Sequence, residues 1–161
     1  FCQSKFHSEI VRKNLKLDNI ENLGGNLWSD RDLEKMKEFS SKEKSEKCSI
    51  MDSRIEHKNT AGSIAYCLSK GYKYNLIVPC SYDLFLEKLS KNDKFVFFPL
   101  TPETLSRVVV EARMMNIKVI TNSRVGAASE DWFKLKGQDL IDFMKVKRKE
   151  IVNNVEETIN G

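Results

Sequence analysis

Between residues 48 and 122, short apolar runs alternate with segments in which apolar residues recur at helical spacing. The runs have strand length, and they predict strands over 48–52, 74–78, 94–99 and 117–122. Helices are predicted over 60–69 and 82–90, with Ile64, Ala65 and Leu68 of the first one covering the sheet. This alternation is typical of an α/β fold, with a Rossmann-like parallel sheet and helices on both faces.

Both flanks of this region are predicted to be largely helical. A short strand or loop over 1–6 precedes a helix over 8–17, and the adjacent Gly24 and Gly25 indicate a turn. A second helix is expected to begin at Ser29, a good N-cap, and to end at Phe39. A charged loop or a solvated helix end is expected over 40–47, and a long amphipathic helix over 138–159.

At 161 residues the chain has the length of a single domain. We divide it into an entry segment with helices (1–47), a core (48–137) and a C-terminal helix (138–161). The net charge of +4 is small and spread along the chain, so nucleic acid is not expected as a partner. The four cysteines lack the spacing of a zinc or redox motif, and no apolar run is long enough for a membrane span. A reduced, cytoplasmic setting is therefore expected.

Candidate chemistry lies in the loops that follow the strands, because ligands of open parallel sheets bind outside the carboxyl ends of the strands. After Pro99 the chain is expected to enter a helix whose first turn falls between Thr101 and Ser106. Free N–H groups and the helix dipole favour an anion there. A diphosphate would be held by the main chain of Thr104, Leu105 and Ser106.

Two acidic residues flank this segment. Glu103 and Glu111 are separated by eight helical positions, a rise of roughly 12 Å, so they could reach groups on opposite sides of a diphosphate. Carboxylates are natural acceptors for paired sugar hydroxyls. Such a pair is also common among solvated helix charges, but its position between two predicted strands favours a site.

A second cluster follows the first core strand. Arg54 and Lys58 lie in the loop over 52–60, between that strand and the next helix. Two cations in one loop could neutralise a diphosphate leaving group. For Arg54 in particular, a plain surface cation is an equally good interpretation.

Together these residues resemble the C-terminal, donor-binding domain of retaining glycosyltransferases of the GT-B fold (glycosyltransferases group 1). The resemblance covers roughly residues 48–130. It implies that Glu103 contacts the transferred sugar, that Glu111 binds the ribose, and that Lys58 and Arg54 grip the donor phosphates. It also implies that the segment over 3–7 enters from a preceding domain.

The chain departs from the family pattern at several places. Leu105 and Ser106 replace the more common phenylalanine and glycine, and only Gly126 remains of a glycine pair that precedes a glutamate, here Glu130. We expect Gly126 to shape the pocket wall and Glu130 either to cap a helix or to touch the ligand. The family's extra strand and helix between 78 and 94 are missing, so the identity of the nucleobase does not carry over.

The resemblance implies transfer of a sugar from a nucleoside diphosphate sugar to an acceptor, with retention, without a metal ion and without a cofactor, as in polysaccharide biosynthesis. The partners would be the nucleotide sugar and an N-terminal acceptor-binding domain. Because the chain begins at Phe1, we expect a fragment of a longer protein that is inactive alone.

Three questions stay open at this stage. A sugar-nucleotide epimerase on the same scaffold, or a non-catalytic nucleotide-sugar-binding module, would show the same core. A basic patch on the last helix would suit a peripheral contact with the inner face of the membrane if the acceptor is lipid-linked. It comprises Lys145, Lys147, Arg148 and Lys149.

Overall fold

The computed structural model describes residues 1–161 as an α/β fold with a four-stranded, all-parallel sheet. The helices are α1 (Lys5–Leu15), α2 (Asp30–Ser40), α3 (Thr60–Ser69), α4 (Tyr82–Ser90), α5 (Arg107–Met114) and α6 (Gly137–Asn160). The strands are β1 (Ser45–Met51), β2 (Tyr74–Ile77), β3 (Asn92–Phe97) and β4 (Lys118–Thr121). Short 3₁₀ turns cover Glu56–Lys58, Gly126–Ser129 and Asp131–Lys134.

The strands lie in the order β2-β1-β3-β4. The chain therefore adds β2 on one side of β1 and then crosses back to add β3 and β4 on the other side. Because side chains alternate between the two faces of the sheet along a strand, β3 contributes side chains to two separate cores. Phe95 and Phe97 join the larger core, which also contains residues of α2, α4, α5 and α6. Val96 joins Cys48, Ile50 and Cys67 under α3 on the opposite face. The predicted Rossmann-like sheet with helices on both faces is confirmed.

Several predicted boundaries are confirmed, including α3, α4 and the N-cap of α2 at Ser29. The predicted sheet-covering face of α3 is right for Ile64, which packs against the smaller core, and wrong for Leu68, which is 65% exposed, and for Ala65, which is exposed. Ser63 and Cys67 are the buried residues of this helix. Small side chains contribute to the sheet-facing side here, so hydrophobicity alone placed two of the three residues on the wrong side.

The first helix also begins earlier than predicted, at Lys5 rather than Ser8. Ser4 is its N-cap and accepts a hydrogen bond from the His7 N–H at 3.1 Å. The next free amides at this helix start are satisfied by side chains far away in sequence. Glu130 accepts from the Lys5 N–H at 2.6 Å, and the Ser129 hydroxyl accepts from the Phe6 N–H at 3.1 Å. Ser4 is a local signal for this start, whereas the contacts made by Glu130 and Ser129 have none.

The loops that follow β3 and β4 are joined by a short parallel bridge between Glu103 and Val125. Glu103 donates its N–H to the Arg124 carbonyl at 2.8 Å and accepts from the Gly126 N–H at 2.9 Å. A β-carbon on Gly126 would collide with the Thr104 carbonyl and with the Ser4 hydroxyl oxygen. The close approach of these two loops therefore requires glycine at this position.

We predict that Gly126→Ala destabilises the fold by about 1–3 kcal/mol, because two backbone segments must move apart to make room for the methyl group. Urea unfolding followed by circular dichroism measures this cost. Gly25→Ala is the matched control, since the new methyl group would meet the flexible side chain of Lys147 at 2.9 Å rather than backbone. Equal stability of the two variants would contradict the proposed constraint.

Candidate functional site

A cleft of about 670 Å³ opens outside the carboxyl ends of β1 and β2, between α4 and α5. The loop after β1 leads to α3 on one face of the sheet, while the loop after β3 leads to α5 on the other. Ligands of open α/β sheets bind where neighbouring loops diverge in this way. Much of the wall is apolar: Met51, Ile55, Ile77, Pro79, Phe85 and Val108.

The polar part of the lining includes both a carboxylate and cations. Arg54 comes from the loop after β1, and Arg107 and Glu111 come from the first two turns of α5. Arg54 is exposed and makes no ion pair, whereas Arg107 donates to Glu111 at 3.2 Å. The structure thus brings Arg54 and Glu111, two of the predicted site residues, into one cleft.

Glu111 is the most constrained of these residues, with only 2% of its surface exposed. Its Oε1 atom accepts hydrogen bonds from the indole N–H of Trp28 at 3.0 Å and from the hydroxyl of Tyr82 at 2.8 Å. The Nε–H of Arg107 donates to the same oxygen. Burial, and then the neighbouring charge of Glu111, raise the pKa of Tyr82, so its hydroxyl keeps its proton.

Lys58 and Glu103 lie outside the lining of this cleft and contact each other. The Lys58 ammonium is 2.6 Å from a carboxylate oxygen of Glu103, and both side chains are largely buried. The turn that carries Lys58 is tied to the loop after β3 by the Leu100 N–H, which donates to the His57 carbonyl at 2.8 Å. Asn59 donates to the Phe98 carbonyl of the same loop at 2.9 Å. The two predicted phosphate loops are therefore in direct contact and form one continuous surface.

The start of α5 corrects the sequence-based prediction. The helix begins at Arg107, after its N-cap Ser106, and not within 101–106. Ser106 adopts left-handed backbone angles (φ 70°), which explains why the chain cannot begin the helix earlier. Glu103 consequently lies in the loop, four residues before the helix, and is not on the same helix as Glu111.

The main chain of Thr104, Leu105 and Ser106 leaves its N–H groups unpaired. None of these three amides donates to a protein acceptor. Leu105 is fully buried with its side chain in the larger core. The Thr104 hydroxyl donates to Gln3 at 2.7 Å, and its carbonyl accepts from the Ser4 hydroxyl. The segment is thus anchored by its side chains and carbonyls, its three amides have no protein acceptor, and none of the three residues lines the cleft.

The downstream residues have structural roles. Glu130 caps α1, which is one of its two predicted roles. Gly126 packs against the 103–105 loop and does not line the cleft, so its predicted place in the pocket wall is wrong.

Most of the basic patch on α6 is neutralised within the fold. Lys145 pairs with Glu34, Lys147 with Glu150 and Arg148 with Asp30, which leaves Lys149 without an ion pair.

Sequence reasoning did not identify Trp28, Tyr82 or Arg107 as part of the site. Trp28 lies 83 residues before Glu111, so nothing local links the two. Arg107 carried a usable signal, because a cation four residues before a glutamate on one helix faces it.

Three further observations concern metal ions, cysteines and membrane-spanning helices. No three His, Cys, Asp or Glu side chains converge in a way that could hold a metal ion. All four cysteines are free thiols, and burial raises the pKa of Cys48 to about 12. None of the helices combines the length and apolar character needed to cross a membrane. In comparisons with known proteins, no family model, curated protein or solved structure matches the chain.

We predict that Ser106→Gly stabilises the fold by about 0.5–1 kcal/mol, because glycine removes the left-handed strain but costs more chain entropy. Ser106→Ala is the matched control, since it removes the hydroxyl but retains the β-carbon that causes the strain. Urea unfolding of the three proteins separates the two effects. A glycine variant no more stable than the alanine variant would contradict the interpretation.

Proposed function

We propose that this chain is the donor-binding domain of a retaining glycosyltransferase of the GT-B fold, which transfers a sugar from a nucleoside diphosphate to an acceptor. The observation that carries the proposal is that a buried carboxylate, Glu111, opens into the same cleft as the unpaired cation Arg54 and the start of α5. A sugar diol and a diphosphate require these two kinds of partner side by side.

The phosphates would lie at the start of α5. The free amides of Thr104, Leu105 and Ser106 and the helix dipole favour an anion at this position. Arg54 would approach it from the loop after β1, with Lys58 from the same loop. As the bond from the sugar to the diphosphate breaks, negative charge develops on the leaving oxygen. Cations and amides already in place would stabilise that charge without a metal ion.

The two acids would bind different parts of the donor. Glu111 would accept hydrogen bonds from the ribose, while Glu103 would orient the transferred sugar. Glu103 is 2.6 Å from Lys58, so a sugar contact and a phosphate contact are adjacent in space. The acceptor would bind mainly to a preceding domain, and the chain by itself would bind donor and transfer little.

We predict that the 161-residue chain binds at least one of UDP, GDP, ADP, CDP and dTDP more tightly than it binds inorganic pyrophosphate. The reason is that the apolar wall of the cleft adds contacts that pyrophosphate cannot make. Isothermal titration calorimetry measures each dissociation constant. Absence of binding by all five nucleotides, in a sample with a cooperative unfolding transition, would refute the proposed function.

We predict that Arg54→Ala weakens binding of the preferred nucleoside diphosphate by about 10- to 100-fold, the loss expected for a hydrogen bond between charged groups, whereas Lys58→Ala weakens it less because Lys58 is already paired with Glu103. Affinity for the corresponding nucleoside should stay unchanged, because both side chains would contact phosphate. Lys149→Ala removes one exposed cation that makes no ion pair and is the matched control for net charge. A loss of the same size in the control would indicate attraction by the overall charge rather than a phosphate site.

A further inference from the structure

All three protein donors to Glu111 bind the same oxygen. Trp28, Tyr82 and Arg107 donate to Oε1 at 3.0, 2.8 and 3.2 Å. A carboxylate buried for stability alone would be expected to satisfy both oxygens, because each buried lone pair without a donor costs free energy. Because all three donors bind Oε1, the surroundings of the other oxygen, Oε2, need an explanation.

The second oxygen, Oε2, accepts no hydrogen bond from the protein, yet every fully buried side-chain oxygen in the molecule has a partner. Oε2 must therefore retain some access to its surroundings. Glu111 lines the cleft, so the accessible side of its carboxylate is the cleft side. The result is an acceptor oxygen at the cleft between α4 and α5 that no protein donor occupies.

Trp28 holds the Glu111 carboxylate from the side away from the cleft. It is 2% exposed, belongs to the larger core and does not line the cleft. Its carbonyl accepts from Arg148 of α6 at 2.8 Å, and the Arg107 guanidinium lies 5.1 Å from the centre of its ring. The indole is thus fixed from α5 and α6 and cannot touch a ligand itself.

A purely structural account would treat Glu111 as the acceptor that a buried indole N–H needs. The other tryptophan shows that a neutral acceptor is sufficient, because the buried Trp132 donates to the Gly24 carbonyl at 2.8 Å. A buried charge in the same role would add a desolvation cost without a benefit to the fold. The carboxylate is explained if its free oxygen has a ligand.

We propose that Trp28 is a positioning residue, which holds Oε1 of Glu111 so that Oε2 accepts hydrogen bonds from the vicinal diol of a ribonucleotide. This inference rests on the proposed function, which already places the ribose at Glu111, and adds the residue that orients the carboxylate for it. Without the indole N–H, Oε1 is held only by Tyr82 and Arg107, both of which line the cleft, so the carboxylate is less well ordered and ordering it on binding costs affinity for the diol only.

The test compares dissociation constants of UDP, GDP and ADP with those of their 2′,3′-dideoxy counterparts. The wild-type protein should prefer the ribonucleotide by about 10-fold or more, as expected for hydrogen bonds to a charged acceptor. Trp28→Phe keeps an aromatic ring and removes the donor. It should reduce the preference to below about 3-fold, while affinity for the dideoxy nucleotide changes by less than about 2-fold.

Trp132→Phe is the matched control, since it removes an equivalent indole hydrogen bond at a site remote from Glu111 and should leave the preference intact. In the Glu111→Gln background, Trp28→Phe should cause no further loss of preference. If Trp28→Phe fails to fold, Tyr82→Phe removes a second donor to the same oxygen, and because Tyr82 lines the cleft, an unchanged affinity for the dideoxy nucleotide is needed to separate lost orientation from a lost direct contact.

The possible failures are distinguishable. Equal weakening of both nucleotides by Trp28→Phe, or an unchanged preference, would overturn the positioning role while leaving the proposed function intact. A wild-type protein that binds nucleoside diphosphates without regard to the ribose hydroxyls would overturn the inference at Glu111 itself. A folded wild-type protein that binds none of the nucleotides would refute the proposed function and, with it, this inference.

Discussion

Glu111 carries its carboxylate on the inner side of α5, where an uncompensated charge would cost several kcal/mol. The surrounding structure supplies three donors, from the segment before α2, from the first residue of α4 and from α5 itself. The loop that carries Trp28 is in turn attached to α6 through Arg148. Elements distant in sequence therefore meet around one charge, which lies in the lining of the cleft between α4 and α5.

The start of α5 shows how the fold keeps donors free. Unpaired amides are costly in a buried loop unless water or a ligand accepts their hydrogen bonds, so such a segment must be held in place by other contacts. Here the segment before α5 is fixed through its carbonyls, by the Gly126 and Ala127 amides and by the Ser4 hydroxyl. The left-handed Ser106 then directs the chain into the helix. Strain of this kind is typical of sites that must be preorganised for a ligand.

Much of the fold was predictable because its elements are locally encoded. α3 and α4 were placed correctly from their flanking caps and apolar spacing, and alternation of strands and helices was enough for the parallel sheet. What failed depends on distant residues or on backbone geometry. The start of α1 is set by Glu130, and the start of α5 by the angles of Ser106. The contact of Trp28 with Glu111 spans 83 residues and has no local signature.

The two acids of the candidate site, Glu103 and Glu111, differ in how the protein occupies their carboxylates, and their spacing in the sequence does not reveal this difference. Glu111 is preorganised, since binding a diol would use an oxygen that no protein group occupies. Glu103 is already paired with Lys58 at 2.6 Å. A donor that placed a phosphate on Lys58 and a hydroxyl on Glu103 would have to replace this largely buried ion pair by two new contacts, with little net gain in electrostatic energy. Within the proposed function, affinity would therefore arise mainly at Glu111, Arg54 and the α5 amides, whereas the Lys58–Glu103 pair would act on the transferred sugar and the leaving group.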